Sequence, residues 1–148
     1  MSVKVQTTDF DVGAEIAVMR LSSANIGALV SFVGQVRDFN DGDNVTSMFL
    51  EHYPGMTEKV LTEIIAQAKA GWSIADATII HRVGELKPQD QIVLVLVSSA
   101  HRQDAFAACE FMMDQLKTNA PFWKKEQTQN GLRWVEAKAS DEAARQRW

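Results

Sequence analysis

The sequence predicts an α+β fold with a mostly antiparallel or mixed sheet, and three observations carry that prediction. Short β-prone runs alternate with segments of helical periodicity, so helices fall between strands and not in a separate block. Asn130-Gly131 stands between two β-prone runs, the strongest short-range signal for a hairpin. Residues 91–99 (QIVLVLVSS) are almost unbroken apolar sequence, which marks a strand covered on both faces.

The elements follow in order. Val3 and Val5 alternate with polar residues and give a short first strand. Asp11 is placed to cap a helix running to about Leu21, with Val12, Ile16 and Met19 on one face. Residues 28–36 (ALVSFVGQV) form a strand, and residues 38–44, rich in Asp, Asn and Gly, form a loop. β character resumes over residues 45–53 until Pro54-Gly55 breaks it. Residues 57–70 carry Val60, Leu61, Ile64, Ile65 and Ala68 at helical spacing, with Gly71 as the stop. Residues 75–83 form a strand, residues 84–90 a turn containing Pro88, and residues 91–99 the central strand. A helix over residues 103–117 places Phe106, Cys109, Met113 and Leu116 near one stripe, and Pro121 prevents its continuation. Residues 122–129 and 132–138 form the hairpin arms. A last helix over residues 140–148 is expected to be capped by Ser140.

The chain has 148 residues with no repeat, linker or low-complexity tract, so one domain is expected over residues 1–148. Hydrophobic residues at 46% and charged residues at 23% give the balance of a folded globular chain and exclude disorder. No apolar run approaches the roughly 20 residues that span a bilayer, and residues 1–10 lack the pattern of a secretory signal. No membrane association is expected, and the cytoplasm is the expected compartment. The net charge of −4 argues against a nucleic-acid partner. Yet Arg37, His101, Arg102, Lys117, Lys124 and Lys125 sit near element ends. A local basic pocket on a mildly acidic protein points to a small anionic ligand.

His101-Arg102 follows the most buried strand and opens a helix, a place where side-chain cations, backbone N–H groups and the helix dipole can converge on phosphate or carboxylate. The plainer reading is that both residues begin a helix and face water. His81-Arg82 repeats the dipeptide at another strand end with nothing nearby to reinforce it, and His81 is read as structural. His52 is similar. Three scattered histidines give no metal-ligand spacing, so no metal is expected.

Lys117 ends a helix, and Lys124 lies on the next strand beyond Pro121, Phe122 and Trp123. This spacing can aim two ammonium groups into one space with aromatic walls. Mutual repulsion and desolvation would lower a lysine pKa and favour a neutral amine able to act as base or nucleophile. Alternatively, Lys117 complements the helix C-terminus and Lys124 decorates a strand. An arginine placed as Arg37 is, by itself, usually solvated. The single cysteine, Cys109, lies on the apolar side of its helix and reads as a small core hydrophobe, not a nucleophile.

Five ordered segments carry a family resemblance: residues 32–37 (FVGQVR), 50–56 (LEHYPGM), 80–86 (IHRVGEL), 99–102 (SAHR) and 116–125 (LKTNAPFWKK). Together they resemble the large, catalytic subunits of molybdopterin synthase, from about residue 10 to Trp148. The resemblance implies an α/β-hammerhead-like fold with an additional antiparallel or mixed sheet section. It implies a sulfurtransferase of molybdenum cofactor biosynthesis that works without a cofactor. Two large subunits would form the homodimer core of a heterotetramer. A small ubiquitin-like sulfur-carrier subunit would dock at each end and present its C-terminal Gly-Gly thiocarboxylate. Two sulfurs would pass to cyclic pyranopterin monophosphate, giving the dithiolene of molybdopterin.

By the same resemblance, Lys117 and Lys124 are the catalytic pair. Gln35, Val36, Arg37, His101, Arg102, Lys125 and Glu126 join them in binding substrate, and Phe32 and Met113 wall the pocket. The chain departs from the family where Gln35 replaces a frequently basic residue and Lys138 replaces an arginine, which loses the planar bidentate fork. Two other readings of the basic pocket are an enzyme acting on a small phosphate ester without a protein partner, and a non-catalytic groove for an acidic tail. Both need less than the Lys117–Lys124 spacing provides.

Overall fold

The apolar run expected to be buried on both faces is the second strand from one edge of a four-stranded sheet, and the rest of the fold is arranged around it. The computed structural model describes residues 2–40, 42–135 and 139–148. In chain order the elements are β1 (Ser2–Gln6), α1 (Val12–Arg20), β2 (Ala28–Gln35), β3 (Phe39–Asn40), β4 (Asp43–His52), α2 (Met56–Gly71) and β5 (Asp76–Arg82). They continue with β6 (Gly84–Leu86), β7 (Gln91–Ser99), α3 (Arg102–Asn119), β8 (Phe122–Thr128), β9 (Gly131–Val135) and α4 (Ala139–Gln146). The first sheet has the order β1-β5-β7-β2, and only β1 and β5 run parallel.

The period of two along β7 divides its side chains between two cores. Val93, Val95 and Val97 face Leu61, Ile65 and Ala68 of α2 and Ala105, Ala108 and Met112 of α3. Leu94 and Leu96 face Phe10 and Met19, which α1 and the turn before it lay across the other side. Asp11 caps α1 as expected, its carboxylate accepting from the Ala14 N–H at 3.0 Å.

The second sheet runs β3-β4-β8-β9, with β6 also paired to β4. Where it leans on the first sheet, Val36, Met48, Leu50, Val83 and Leu86 form a third apolar cluster. The Asn130-Gly131 hairpin forms, with Lys124 opposite Val135 and Thr128 opposite Gly131, whose φ of 112° favours glycine.

Four local expectations change. Residues 84–86 pair with residues 48–50 and are not part of the turn, because Leu86 is completely buried against that strand. Residues 39–40, expected as loop, pair briefly with residues 43–44. Phe106 is 61% exposed, since the buried stripe of α3 runs through Ala105, Ala108, Cys109, Met112 and Leu116 and Phe106 is rotated off it. Ser140 falls inside α4 and does not precede it. The second hairpin arm is described to Val135, and its expected remainder, including Lys138, lies outside the described residues.

Candidate active site

A cavity of about 460 Å³ opens where the two sheets meet the end of α3. The local sequence explains how two lysines come to share it. Pro121 stops α3, and a tight turn in which the Phe122 N–H reaches the Ala120 carbonyl (2.9 Å) starts β8 at once. The Thr57 hydroxyl, itself buried in α2, donates to the Pro121 carbonyl at 3.2 Å and fixes the turn. Lys117 therefore points from the last turn of α3 into the space that the inner face of β8 lines. Strand alternation puts Phe122, Lys124 and Glu126 on that face and Trp123, Lys125 and Gln127 on the other.

Lys117 and Lys124 line the same cavity, close enough for the charge of one to act on the other. Burial and the Lys117 charge push the Lys124 pKa down to about 8, while Asp141 and Glu126 pull in the opposite direction. An amine tuned to this range exchanges a proton readily near neutral pH. Glu126 is only 5% exposed and is held by the Arg133 guanidinium at 3.3 Å. Gln35, Val36 and Arg37 reach the mouth from the end of β2, past an irregularity in its pairing at Gly34/Gln35. The Val36 N–H to Asp90 carbonyl bond (3.0 Å) and the Gln89 N–H to Val36 carbonyl bond (2.8 Å) anchor that segment. Phe32 forms part of the wall and is 39% exposed.

The cavity thus gathers Phe32, Gln35, Val36, Arg37, Lys117, Lys124 and Glu126. Four other expected site residues stand elsewhere in the single chain. His101 and Arg102 are exposed where β7 passes into α3, and the stretch of β7 from Val93 at the cavity to Ser99, roughly 20 Å, lies between them and the cavity. Lys125 lies on the outer face of the second sheet, its amine 5.4 Å from the Trp134 ring centre. Met113 is buried in the core one turn before Lys117. Cys109 is also buried, and desolvation pushes its thiol up to about 11, which makes it a poor nucleophile.

Two ionisable residues line the cavity that sequence reasoning did not place there, His81 and Asp141. His81 had one available signal, an imidazole at an inward-facing position of an otherwise aliphatic strand. Asp141 had none, because it reaches the cavity only through the packing of α4 on α3.

The geometry can be set beside known proteins. The family model described as "MoaE protein" matches residues 5–119. A molybdopterin synthase catalytic subunit from Ralstonia nicotianae is 60% identical over 147 residues, which is 99% of this chain and 84% of that protein. The solved structure of a molybdopterin biosynthesis MoaE protein from Burkholderia ambifaria superposes with a TM-score of 0.84 at 54% identity, covering 100% of this chain and 98% of that one. A chain from the Helicobacter pylori complex of subunits 1 and 2 of molybdopterin-converting factor shares the fold, with a TM-score of 0.73 at 22% identity over 93% of this chain and 90% of that one. The two-sheet α+β architecture, the paired amines at the end of α3 and the full-length likeness lead to one assignment: this chain belongs to the MoaE family, the catalytic subunits of molybdopterin synthase.

Proposed function

We propose that the cavity between the two sheets is where this subunit transfers sulfur. The thiocarboxylated Gly-Gly tail of a small ubiquitin-like carrier enters it, and two sulfurs pass in succession to cyclic pyranopterin monophosphate. The observation that carries this reading is the pair of lysines, Lys117 and Lys124, that share a cavity lined by no thiol among the described residues. A sulfurtransferase without a usable cysteine must receive its sulfur already activated on another protein. What it then needs is cationic stabilisation and a proton carrier.

The two amines supply both. In one transfer the carrier's thiocarboxylate sulfur attacks a substrate carbon bonded to a phosphate-ester oxygen, and that carbon–oxygen bond breaks as the cyclic phosphate opens. In the other it attacks an oxygen-bearing carbon whose oxygen leaves as water. Each leaves carrier and substrate joined as a thioester. Water adds to the thioester carbonyl, and the protonated amine of the pair stabilises the oxyanion that develops. The carbon–sulfur bond to the carrier then breaks, leaving sulfur on the substrate and a carboxylate on the carrier. The neutral amine takes the proton from the attacking water and returns one as the cyclic phosphate opens. Arg37, with Gln35 and Val36 beside it, binds the substrate phosphate at the mouth, and Glu126 keeps Lys124 oriented. Phe32 closes one wall. Lys125 and Met113 act from behind, Lys125 by bracing the outer sheet face against Trp134 and Met113 by packing beneath the turn that carries Lys117. His101 and Arg102 form an anion site that a second copy of the chain presents to the cavity of the first. We assign the enzyme to the cytoplasm, where a reducing milieu protects thiocarboxylate sulfur.

The test is anaerobic reconstitution with thiocarboxylated carrier and cyclic pterin. Lys117→Ala is expected to abolish dithiolene product while leaving circular dichroism and carrier binding unchanged. Wild-type turnover by that variant would refute the assignment.

A further inference from the structure

His81 occupies the last inward-facing position of β5. Ala77 and Ile79 precede it on the same face, both fully buried in the aliphatic core, and the imidazole is itself only 5% exposed. A polar ring in such a place is costly unless its nitrogens are used. Nδ1 lies 2.8 Å from the backbone oxygen of Arg82. A carbonyl can only accept, so Nδ1 carries the proton, and in the neutral ring Nε2 is left as an acceptor. Among the described residues no protein N–H or O–H bonds to Nε2, and the ring lines the cavity that contains both lysine amines. Phe122 lies flat against it, with ring centres 3.8 Å apart and planes 17° from parallel, which fixes the plane in which Nε2 points. Phe122 and Lys124 are neighbours on one face of β8, so the stack ties imidazole and amine to the same strand.

We propose that His81 is a positioning residue for the lysine pair: its unprotonated Nε2, which no protein group among the described residues occupies, accepts a hydrogen bond from a cavity water that in turn accepts from the pair's ammonium group, and so keeps one amine charged while the other is neutral. This inference rests on the reading of Lys117 and Lys124 as the proton-handling centre of sulfur transfer. The charged and titratable groups that share the cavity with the imidazole or act on it are Arg37 after β2, Lys117 from α3, Lys124 and Glu126 from β8, His52 from β4 and Asp141 from α4. Burial first, and then the Lys117, Lys124 and His52 charges, hold the His81 pKa down at about 3. The ring therefore remains an acceptor through the whole neutral range. A bond accepted from an ammonium group stabilises its charged form, so removing the acceptor lowers the pKa of the pair.

Three variants separate this role from packing. His81→Gln sets an amide oxygen near the place of Nε2, His81→Asn reaches only as far as Nδ1, and His81→Leu fills space with neither. The pH dependence of Lys117 and Lys124 acetylation by trace acetic anhydride, read by peptide mass spectrometry, gives the midpoint of the pair without turnover. The midpoint is expected to fall by about one pH unit in the Asn and Leu variants and to return toward the wild-type value in the Gln variant. The alkaline limb of the turnover profile is expected to move with it. If the Leu variant does not fold, the Asn and Gln pair carries the comparison. One midpoint common to all folded variants would reduce His81 to packing and overturn the inference. The labelling shift in the variants, together with a wild-type chain that makes no product, would instead overturn the proposed function.

Discussion

Lys124 costs the folded state stability, and the sign of that cost can be tested. Its pKa is about 8 in the fold against 10.5 for an ordinary lysine, so between those values the unfolded chain binds more protons. Stability therefore rises with pH across that window, and the full penalty applies below pH 8. Lys124→Met removes the buried charge and is expected to stabilise the protein at pH 7 by on the order of 2–3 kcal/mol while eliminating product. The advantage should shrink steadily from pH 8 and vanish near pH 10.5. Urea melts of both proteins at pH 7 and pH 10 measure it, and a difference that does not depend on pH would mean that the amine is not held in this state. At this scale the sequence was readable where neighbours are close along the chain. Lys117 and Lys124 are separated by little more than a Pro-forced turn, so their convergence could be anticipated. The role of His81 could not, because an imidazole in β5 meets β8 only after the two sheets have packed together.

The elements repeat the same division. β7 announced its two buried faces by an unbroken apolar run, and Asp11 announced α1, since capping is local. β6 was missed because a strand of three residues is too short to show a period, and its pairing depends on Leu86 finding β4. α4 is the other case: its placement is decided by contacts far away in sequence. Trp148 stacks edge-on against Trp72 and Phe111, with ring centres 5.5 and 5.8 Å away, and its indole N–H donates to Asp114 at 2.6 Å. Arg147 adds bonds to Glu110 at 2.9 Å and Asp114 at 3.1 Å. These contacts hold the helix that carries Asp141 to the cavity, where its charge raises the Lys124 pKa. Trp148→Ala removes aromatic pairs worth about 0.5–1.5 kcal/mol each and is expected to loosen α4 locally. Faster amide exchange in α4, with protection of β7 unchanged, is the expected result, together with a lower Lys124 midpoint. Uniform exchange across both elements would show that α4 is not an independent latch.

For the whole molecule, the unresolved tension lies between the two basic clusters. Resemblance assigns both Lys117–Lys124 and His101–Arg102 to one substrate, yet β7 separates them within a single chain. The sequence could not reveal this, because it gives the residues at each strand end but not the distance between the two ends in space. The outer face of the second sheet exposes Phe49, Trp123, Leu132 and Trp134, at 43, 48, 60 and 57%. Strand alternation sets these four apolar side chains on one face of the sheet. A homodimer resolves both points if each copy lends its strand-end cations to the other's cavity. Complementation tests this directly. Lys117→Ala in one chain and the double substitution His101→Ala, Arg102→Ala in the other should each be inactive as homodimers. When the two chains are mixed and allowed to exchange, about half of the dimers are expected to be hybrids, each with one fully mutated and one fully intact site. Activity should therefore recover to roughly a quarter of the wild-type level per subunit. If all functional residues came from a single chain, every site in the hybrid would remain defective and mixing would restore nothing.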